Sequence, residues 1–174
     1  MGGLWRARGP TPQALVGVGF SAQGPGRGVG YKRREGSFDP RAAFIFAGVG
    51  AEEVIGDFPS LVMEYGAATM EVDRYDLHLG TPPHALLLAT ASGLPEEYHH
   101  VIEEIYQSNL ESMDELIRAD MVYFEYPRGG AVFSASAIGW GGCLSYDNYD
   151  NNVSRITDNV LRRFKSNEPQ LEVD

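Results

Sequence analysis

The apolar residues of this chain fall into short runs, continuous or alternating with polar residues, that are typical of β-strands. Proline, glycine and aspartate, which favour turns, lie between these runs. Strands are therefore predicted at residues 13–20, 42–47, 67–74 and 84–91. The runs at 121–126 and 131–138 flank a four-residue turn, and together they predict an antiparallel hairpin.

Two segments change to the period of an amphipathic helix. In residues 95–110 the apolar positions recur every three or four residues, and Pro95 suits a first helical turn. In residues 152–164 the apolar positions again share one face, asparagines are available as N-caps, and basic residues oppose the C-terminal dipole. The order of elements predicts an α/β fold: a layered mixed sheet with flanking helices, a C-terminal hairpin and a terminal helix.

Composition places this pattern in a globular protein. Of the 174 residues, 43% are hydrophobic and 22% are charged, and a single domain is predicted over residues 1–165, followed by a polar tail at 166–174. The net charge of −10 disfavours nonspecific binding to nucleic acid or to anionic lipid. No apolar run approaches the roughly 20 residues that cross a bilayer. A single cysteine and the lack of a basic-then-apolar leader predict a cytoplasmic protein.

Glycines at the first predicted strand invite comparison with a dinucleotide-binding loop. Gly17, Gly19 and Gly24 have the spacing G-x-G-x4-G, and the residues that follow have no helical period. Without a helix N-terminus there is no dipole to hold a pyrophosphate. Close packing of a strand and a loop is the interpretation, since glycine in a strand marks close backbone approach.

The densest set of potential metal ligands lies in the segment at 95–110: Glu96, Glu97, His99, His100, Glu103 and Glu104. Glu97 and His100 have the Glu-x-x-His spacing that carboxylate-bridged iron sites use on helices. The predicted helix buries its apolar stripe, so these side chains are expected to face water, and no other segment supplies obvious partners. The set is interpreted as a solvated charged face, and no metal ligand is assigned.

Cys143 follows a predicted strand in Gly-Gly-Cys-Leu-Ser, where a nucleophile elbow would lie. The pattern lacks the final glycine that such an elbow needs, and the available bases are the four histidines of the chain, His78, His84, His99 and His100. A small buried hydrophobic residue is therefore the interpretation of Cys143.

Acidic residues and a histidine near the middle of the chain are further candidates. Glu71, Asp73 and Asp76 are candidates for an acid pair, but the two aspartates flank a strand end and a turn, where aspartate caps backbone groups. His84 opens an apolar strand, which predicts a hydrogen-bonded, partly buried histidine. Structural roles are assigned to all four.

Eight short motifs, read in order along the chain, resemble the C-terminal region of the N,N-dimethylformamidase large (beta) subunit family. They are LVGVGFxAQG at 15–24, DPRA at 39–42, IGDF at 55–58, DRYD at 73–76, LGTPPHAL at 79–86, RADMV at 118–122, GGAVFS at 129–134 and NVSRITxNVL at 152–161. Each motif alone is weak, whereas eight in register are specific.

The resemblance implies an amidohydrolase that splits N,N-dimethylformamide or a related small N-substituted amide into an amine and a carboxylic acid. It also implies a glutamine-amidotransferase-like α/β layer, a small partner subunit, homo-oligomer contacts, and a mononuclear iron held by tyrosines and a glutamate.

The glutamate of the family lies in a His-Pro-Glu-Tyr motif that this chain lacks, so the iron ligands are expected upstream. Pro95-Glu96-Glu97-Tyr98 resembles this motif only superficially, because that segment matches a later helix of the family. No catalytic, cofactor-binding or metal-binding residue is carried over. The chain starts, at Gly2-Gly3-Leu4-Trp5, in the middle of the sequence pattern of the family. It is therefore expected to be truncated at its N-terminus.

Three functions follow from these observations. The first is an enzyme fragment, inactive alone, whose activity needs the missing upstream part. The second is a non-catalytic assembly or binding module of the same fold. The third is a self-contained hydrolase that uses Cys143 as its nucleophile.

Overall fold

The structure, a computed structural model, describes residues 9–61, 63–102, 105–107 and 115–166, and it describes the backbone alone at 102 and 105–107. Its strands are β1 (Gly19–Val29), β2 (Lys32–Arg33), β3 (Ala68–Arg74), β4 (Leu86–Ala91), β5 (His99–Ile102), β6 (Ile105–Gln107), β7 (Ala119–Glu125) and β8 (Ala131–Ser134). Its α-helices are α1 (Pro12–Val16), α2 (Gly139–Cys143) and α3 (Asn152–Lys165). Short 3₁₀ turns lie at Glu35–Phe38, Pro40–Ala42, Leu77–Leu79 and Tyr146–Tyr149.

In this part of the chain the strands form two four-stranded sheets. The first sheet has the order β3-β1-β5-β6 and the second has the order β2-β4-β7-β8. All strand pairs are antiparallel. A bridge between Val72 and Ala137 brings the chain that follows β8 against the outer edge of β3.

One buried cluster joins both sheets. It includes Val72 of the first sheet, Met121 of the second and Ile156 of α3, all fully buried. Tyr31 lies in the same cluster, where its ring meets Trp140 edge-on at 6.0 Å and its hydroxyl donates to the carbonyl oxygen of Ala135 at 2.6 Å. Burial raises the pKa of Tyr31, so this side chain is a neutral core residue.

The terminal helix α3 is fixed at its start and along one face. The Asn151 side chain accepts from the backbone N–H of Ser154 at 2.9 Å, which is the N-cap bond. Asn152 is buried and accepts from the N–H of Gly56 at 2.9 Å, so the first turn is tied to a distant loop. Val153, Ile156 and Val160 are buried on the face that packs on the core.

Several predicted elements are confirmed. Strand β3 (Ala68–Arg74) lies within the strand predicted at 67–74, and β4 (Leu86–Ala91) lies within the strand predicted at 84–91. Strands β7 and β8 form the antiparallel hairpin, and α3 is the terminal helix. The fold is mixed α/β, but the expectation of one layered mixed sheet is wrong, because the described strands form two antiparallel sheets. No helix in the described ranges is long and apolar enough to cross a membrane.

The first two predicted strands are wrong in whole or in part. Residues 12–16 form α1, because Pro12 occupies its first turn and Gly17, at φ +80°, ends it. The strand begins only at Gly19 and runs on through the glycine-rich residues 24–28, well past the predicted end at residue 20. Residues 42–47 are turns rather than a strand, because Asp39 caps a 3₁₀ turn with its side chain and the turns continue.

The predicted helix at 95–110 is also wrong where the structure describes it. His99–Ile102 is strand β5 and Ile105–Gln107 is strand β6, while residues 103, 104 and 108–110 lie outside the described residues. Pairing of β5 with β1 across the sheet overrides the local helical period. His100, expected to face water, is 8% exposed.

Candidate functional site

Three polar side chains form a row across the middle of the first sheet. In the strand register Glu71 of β3 lies opposite Gln23 of β1, and Gln23 lies opposite His99 of β5. Residues directly opposite one another on adjacent strands point to the same face. The neighbouring row, Val72-Ala22-His100, is buried, so the Glu71-Gln23-His99 row lies on the outer face of the sheet.

The row lies in an open cleft of about 500 Å³. The cleft, called the Glu71 cleft below, is lined by Gln23, Gly24, Pro25, Met70, Glu71, Glu97 and His99. Two carboxylates, an imidazole and a carboxamide therefore face one space. These are the side chains that serve in acid–base catalysis and in the orientation of a polar substrate.

A tyrosine hydroxyl holds the cleft wall together. Between Gly24 and Val29 the pairing of β1 with β3 shifts in register, and the fully buried Tyr98 fills this gap. Its hydroxyl accepts from the N–H of Met70 at 3.1 Å and donates to the carbonyl oxygen of Gly26 at 3.1 Å. Met70 is held there at φ +69°, a conformation that such a residue adopts only under local constraint.

Two glycines bring β1 against the chain before β5. A Cβ atom at Gly24 would lie 2.5 Å from the carbonyl oxygen of Glu97, and one at Gly26 would lie 3.2 Å from Glu97 Oε2. Any side chain at Gly24 would therefore push back the backbone that carries Glu97. This close approach places the Glu97 carboxylate beside β1.

The ionisable groups of the Glu71 cleft are not consumed by structural contacts. Among the described residues, no hydrogen bond or ion pair engages the carboxylates of Glu71 or Glu97. The Nδ1 atom of His99 is buried and has no hydrogen-bond partner in the same part of the chain. The two carboxylates are exposed and are therefore available to a ligand.

Asp73 adds a second carboxyl on the same face of β3 as Glu71, two residues along the strand. Burial, together with the negative charge of Glu71, raises the pKa of Asp73 to about 6. The third member of the predicted acid group, Asp76, has a structural role. It pairs with Arg74 at 2.7 Å and accepts from the N–H groups of the next 3₁₀ turn.

Of the glycines compared with a dinucleotide-binding loop, Gly24 lines the Glu71 cleft. Gly17, Gly19, His84 and Cys143 do not line it. Gly17 ends α1, whereas Gly19 and Gly24 lie within β1, which is followed by β2 rather than by a helix. His84 hydrogen-bonds through Nε2 with the carbonyl oxygen of Glu125 at 3.0 Å, although its side chain is exposed rather than partly buried. Cys143 is fully buried in α2, and burial raises the pKa of its thiol, which disfavours the nucleophilic thiolate.

The metal-ligand candidates do not gather. Glu96 and Glu97 are exposed, while His99 and His100 alternate between the two faces of β5. Glu103 and Glu104 lie outside the described residues. Within the described ranges, no group of three or more His, Cys, Asp or Glu side chains is arranged to hold a metal ion.

A second open cleft, of about 840 Å³, lies beside β4. It is lined by Arg34, Glu35, Gly36, Phe38, Asp39, Ala85, Leu86 and Leu87. Of its two carboxylates, Glu35 and Asp39, the second is already engaged, because it accepts from the N–H of Arg41 at 2.9 Å and pairs with that guanidinium at 3.1 Å. Its lining includes no histidine. The Glu71 cleft therefore offers more acid–base chemistry.

Sequence reasoning missed the row because no local signal marks it. The local sequence patterns give Gln23 no functional role, and they favour a structural role for Glu71 and a solvated position for His99. The strand register that aligns the three residues joins parts of the chain that lie 48 and 76 positions from Gln23. A prediction of β5 as a strand was the missing step.

Comparisons with known proteins give the affiliation. A family described as "N,N-dimethylformamidase beta subunit-like, C-terminal" matches residues 1–152. The N,N-dimethylformamidase beta subunit of Paracoccus aminophilus is 39% identical over 176 residues, which cover 97% of this chain and 22% of that protein. The subunit of the same name from Alcaligenes sp is 38% identical over 180 residues, which cover 99% of this chain and 23% of that protein.

The chain thus spans less than a quarter of the length of these two relatives. The identity extends along nearly all of this chain, and the family match includes every strand, α1, α2 and the Glu71 cleft. The chain therefore belongs to the N,N-dimethylformamidase beta subunit-like, C-terminal family.

Proposed function

We propose that this chain is the C-terminal part of an amidohydrolase large subunit, which hydrolyses small N-substituted amides to an amine and a carboxylic acid. The names of the two relatives support this reaction class. The observation that carries the proposal is the Glu71-Gln23-His99 row, which presents acid–base side chains in an open cleft.

Amide hydrolysis needs a base for the attacking water and an acid for the departing nitrogen. The Glu71 carboxylate accepts a proton as the water oxygen bonds to the carbonyl carbon. His99, on the other side of Gln23, protonates the nitrogen as the C–N bond breaks. The carboxamide of Gln23 lies between them and orients the amide by hydrogen bonding.

The mononuclear iron implied by the family resemblance does not fit the residues described here. No group of three potential ligands is gathered in the described ranges. We propose that the iron ligands belong to the part of the subunit that lies outside this chain. The proposed roles of Glu71, Gln23 and His99 do not involve the metal.

A small partner subunit, homo-oligomer contacts and a glutamine-amidotransferase-like layer of the complete subunit are proposed on the same resemblance.

A chimera tests the proposal. The region of the Paracoccus aminophilus subunit that aligns with this chain is replaced by this chain, and release of dimethylamine from N,N-dimethylformamide is measured. We expect the chimera to be active and Glu71→Gln to reduce kcat by about 100-fold or more, because the base is lost. Glu52→Gln, at an exposed glutamate outside the cleft, is the matched control and keeps its activity.

A folded chimera without hydrolysis, or a Glu71→Gln variant as active as its control, would contradict the proposal. The alternative, a non-catalytic assembly module, is supported by the small share of each relative that the chain spans. It predicts a chimera that assembles normally and retains its kcat when Glu71 is changed.

A further inference from the structure

We infer that an exposed aromatic surface beside the end of α2 docks on the part of the large subunit that lies outside this chain. The surface, called the Tyr149 surface below, is made by Phe58, Leu61, Tyr146 and Tyr149. The inference rests on the proposed function, which makes this chain one part of a longer subunit. The partner that fits this surface presents apolar side chains together with arginine or lysine.

The Tyr149 surface contains the two most exposed large hydrophobic side chains in the described part of the chain. Leu61 is 83% exposed and Tyr149 is 67% exposed. The rings of Phe58 and Tyr146 stack with their centroids 4.4 Å apart, and Tyr146 also belongs to the exposed class. Exposed apolar side chains in one region, rich in tyrosine and phenylalanine, are typical of a protein–protein interface.

Hydrogen bonds fix the two segments that form this surface. The backbone N–H of Leu61 donates to the carbonyl oxygen of Gly142 in α2 at 3.0 Å. The side-chain amide of Asn151, which caps α3, donates to the carbonyl oxygen of Tyr146 at 2.7 Å. The surface is therefore ordered before a partner binds, and this order lowers the entropy cost of association.

Three consecutive residues carry Tyr149 away from the core in a left-handed conformation. Asp147, Asn148 and Tyr149 have φ angles of 48°, 52° and 68°. This conformation is unfavourable for residues other than glycine. The next residue, Asp150, is anchored because its carboxylate pairs with Arg155 at 2.9 Å. Backbone strain that the surrounding contacts maintain is concentrated at functional positions, which supports a role for the exposed tyrosine.

Carboxylates near the Tyr149 surface favour a basic partner over a second copy of this chain. Asp57, Glu64 and Asp147 are exposed, and no ion pair in the described ranges engages them. In a two-fold pairing of two copies these carboxylates would face each other and repel. Arginine or lysine of a partner is attracted to them, and a guanidinium also packs on aromatic rings, as Arg27 does over Tyr65 at 3.9 Å.

The relatives indicate how much protein is available to cover the surface. This chain aligns over 97% and 99% of its length with two subunits of which it spans only 22% and 23%. All four residues of the Tyr149 surface lie within the family match at residues 1–152. A region that is covalently joined to a larger body meets that body at a high effective concentration, so a modest apolar surface is sufficient for docking.

Hydroxyl-radical footprinting of the 174-residue chain and of the chimera described above tests the inference. In the chimera, we expect Leu61, Tyr146 and Tyr149 to be oxidised at least about fivefold more slowly, because the core of an interface is packed like a protein interior and excludes the radical. Phe38, which is 58% exposed and lies outside the surface, is the internal reference and should react equally in both proteins.

Charge reversal tests the basic character of the partner. Asp147→Lys is expected to lower the Tm of the chimera by about 2 °C or more beyond its effect on the 174-residue chain, because only the chimera contains the docked partner. Glu35→Lys makes the same change at an exposed glutamate outside the surface and is the matched control. It should affect the Tm of both proteins equally.

Equal oxidation of the Tyr149 surface in the chimera and in the 174-residue chain would overturn the inference, as would equal effects of the two charge reversals. Protection that appears in the 174-residue chain as its concentration rises would identify a second copy as the occupant and would also overturn it.

The outcome is separable from that of the proposed function. An active chimera with an unprotected Tyr149 surface overturns the inference alone. A folded but inactive chimera in which the surface is protected supports the docking and overturns the proposed reaction.

Discussion

Asp73 is a partly buried carboxyl on the outer face of β3, and its ionisation lowers the stability of the folded protein. In the unfolded chain an aspartate ionises near pH 3.8, whereas in the folded protein burial and Glu71 raise the pKa of Asp73 to about 6. The folded state thus binds the proton more tightly. Stability from this group is complete below pH 3.8 and is lost as the pH rises to about 6.

Replacing Asp73 with Asn is expected to remove this pH dependence. Between pH 4 and pH 6.5 the free energy of unfolding of the wild type should fall, relative to the variant, by up to about 3 kcal/mol. Urea denaturation at a series of pH values measures the difference. Asp57→Asn, at an exposed aspartate, is the control, and an equal effect there would contradict the role of burial.

At the scale of elements, the register gap between β1 and β3 depends on one hydroxyl. Tyr98 binds the N–H of Met70 and the carbonyl oxygen of Gly26, at the point where the pairing of β1 with β3 shifts in register. Unpaired buried backbone groups are costly. The hydroxyl therefore stabilises the wall of the Glu71 cleft.

Tyr98→Phe is expected to lower the free energy of unfolding by about 1–3 kcal/mol, because the partly buried backbone N–H of Met70 and the carbonyl oxygen of Gly26 lose the hydroxyl that binds them. Tyr126→Phe makes the same chemical change at an exposed hydroxyl, which donates to the carbonyl oxygen of Leu15 at 2.9 Å, and should cost less. Chemical denaturation of both variants checks this. Similar losses in the two would show that the Tyr98 hydroxyl has no special role.

Some elements of the fold are predictable from local sequence patterns and others are not. Strand β3, the β7-β8 hairpin and α3 were predictable because their period, turn residues and cap lie within the element itself. Strand β5 was not, because Tyr98 and Val101 are spaced as on a helix while their burial comes from packing against β1 and the core. The Glu71 cleft depends on that long-range register, so local patterns contained no sign of it.

At the scale of the whole molecule, one buried cluster connects both sheets and α3 in the described part of the chain. We therefore expect unfolding as a single cooperative unit. Ile156 is fully buried in this cluster, whereas Leu161 of the same helix is 62% exposed.

Ile156→Ala is expected to lower the free energy of unfolding by about 2–5 kcal/mol, because the shortened side chain leaves a cavity. Leu161→Ala, the control, should cost about 0.5 kcal/mol. Urea denaturation followed by fluorescence and by circular dichroism measures both. Transitions that differ between the two probes would contradict a single unit.

The glycine contacts of β1 limit how this protein can diversify in evolution. Gly24 and Gly28 each meet backbone atoms of neighbouring segments at distances that exclude a Cβ atom. A side chain at either glycine is therefore expected to disturb the backbone of the Glu71 cleft. New specificities in related proteins should arise by substitution at Gln23 and Glu97, on a backbone that stays the same and that keeps Glu71 and His99 for the proposed acid–base chemistry.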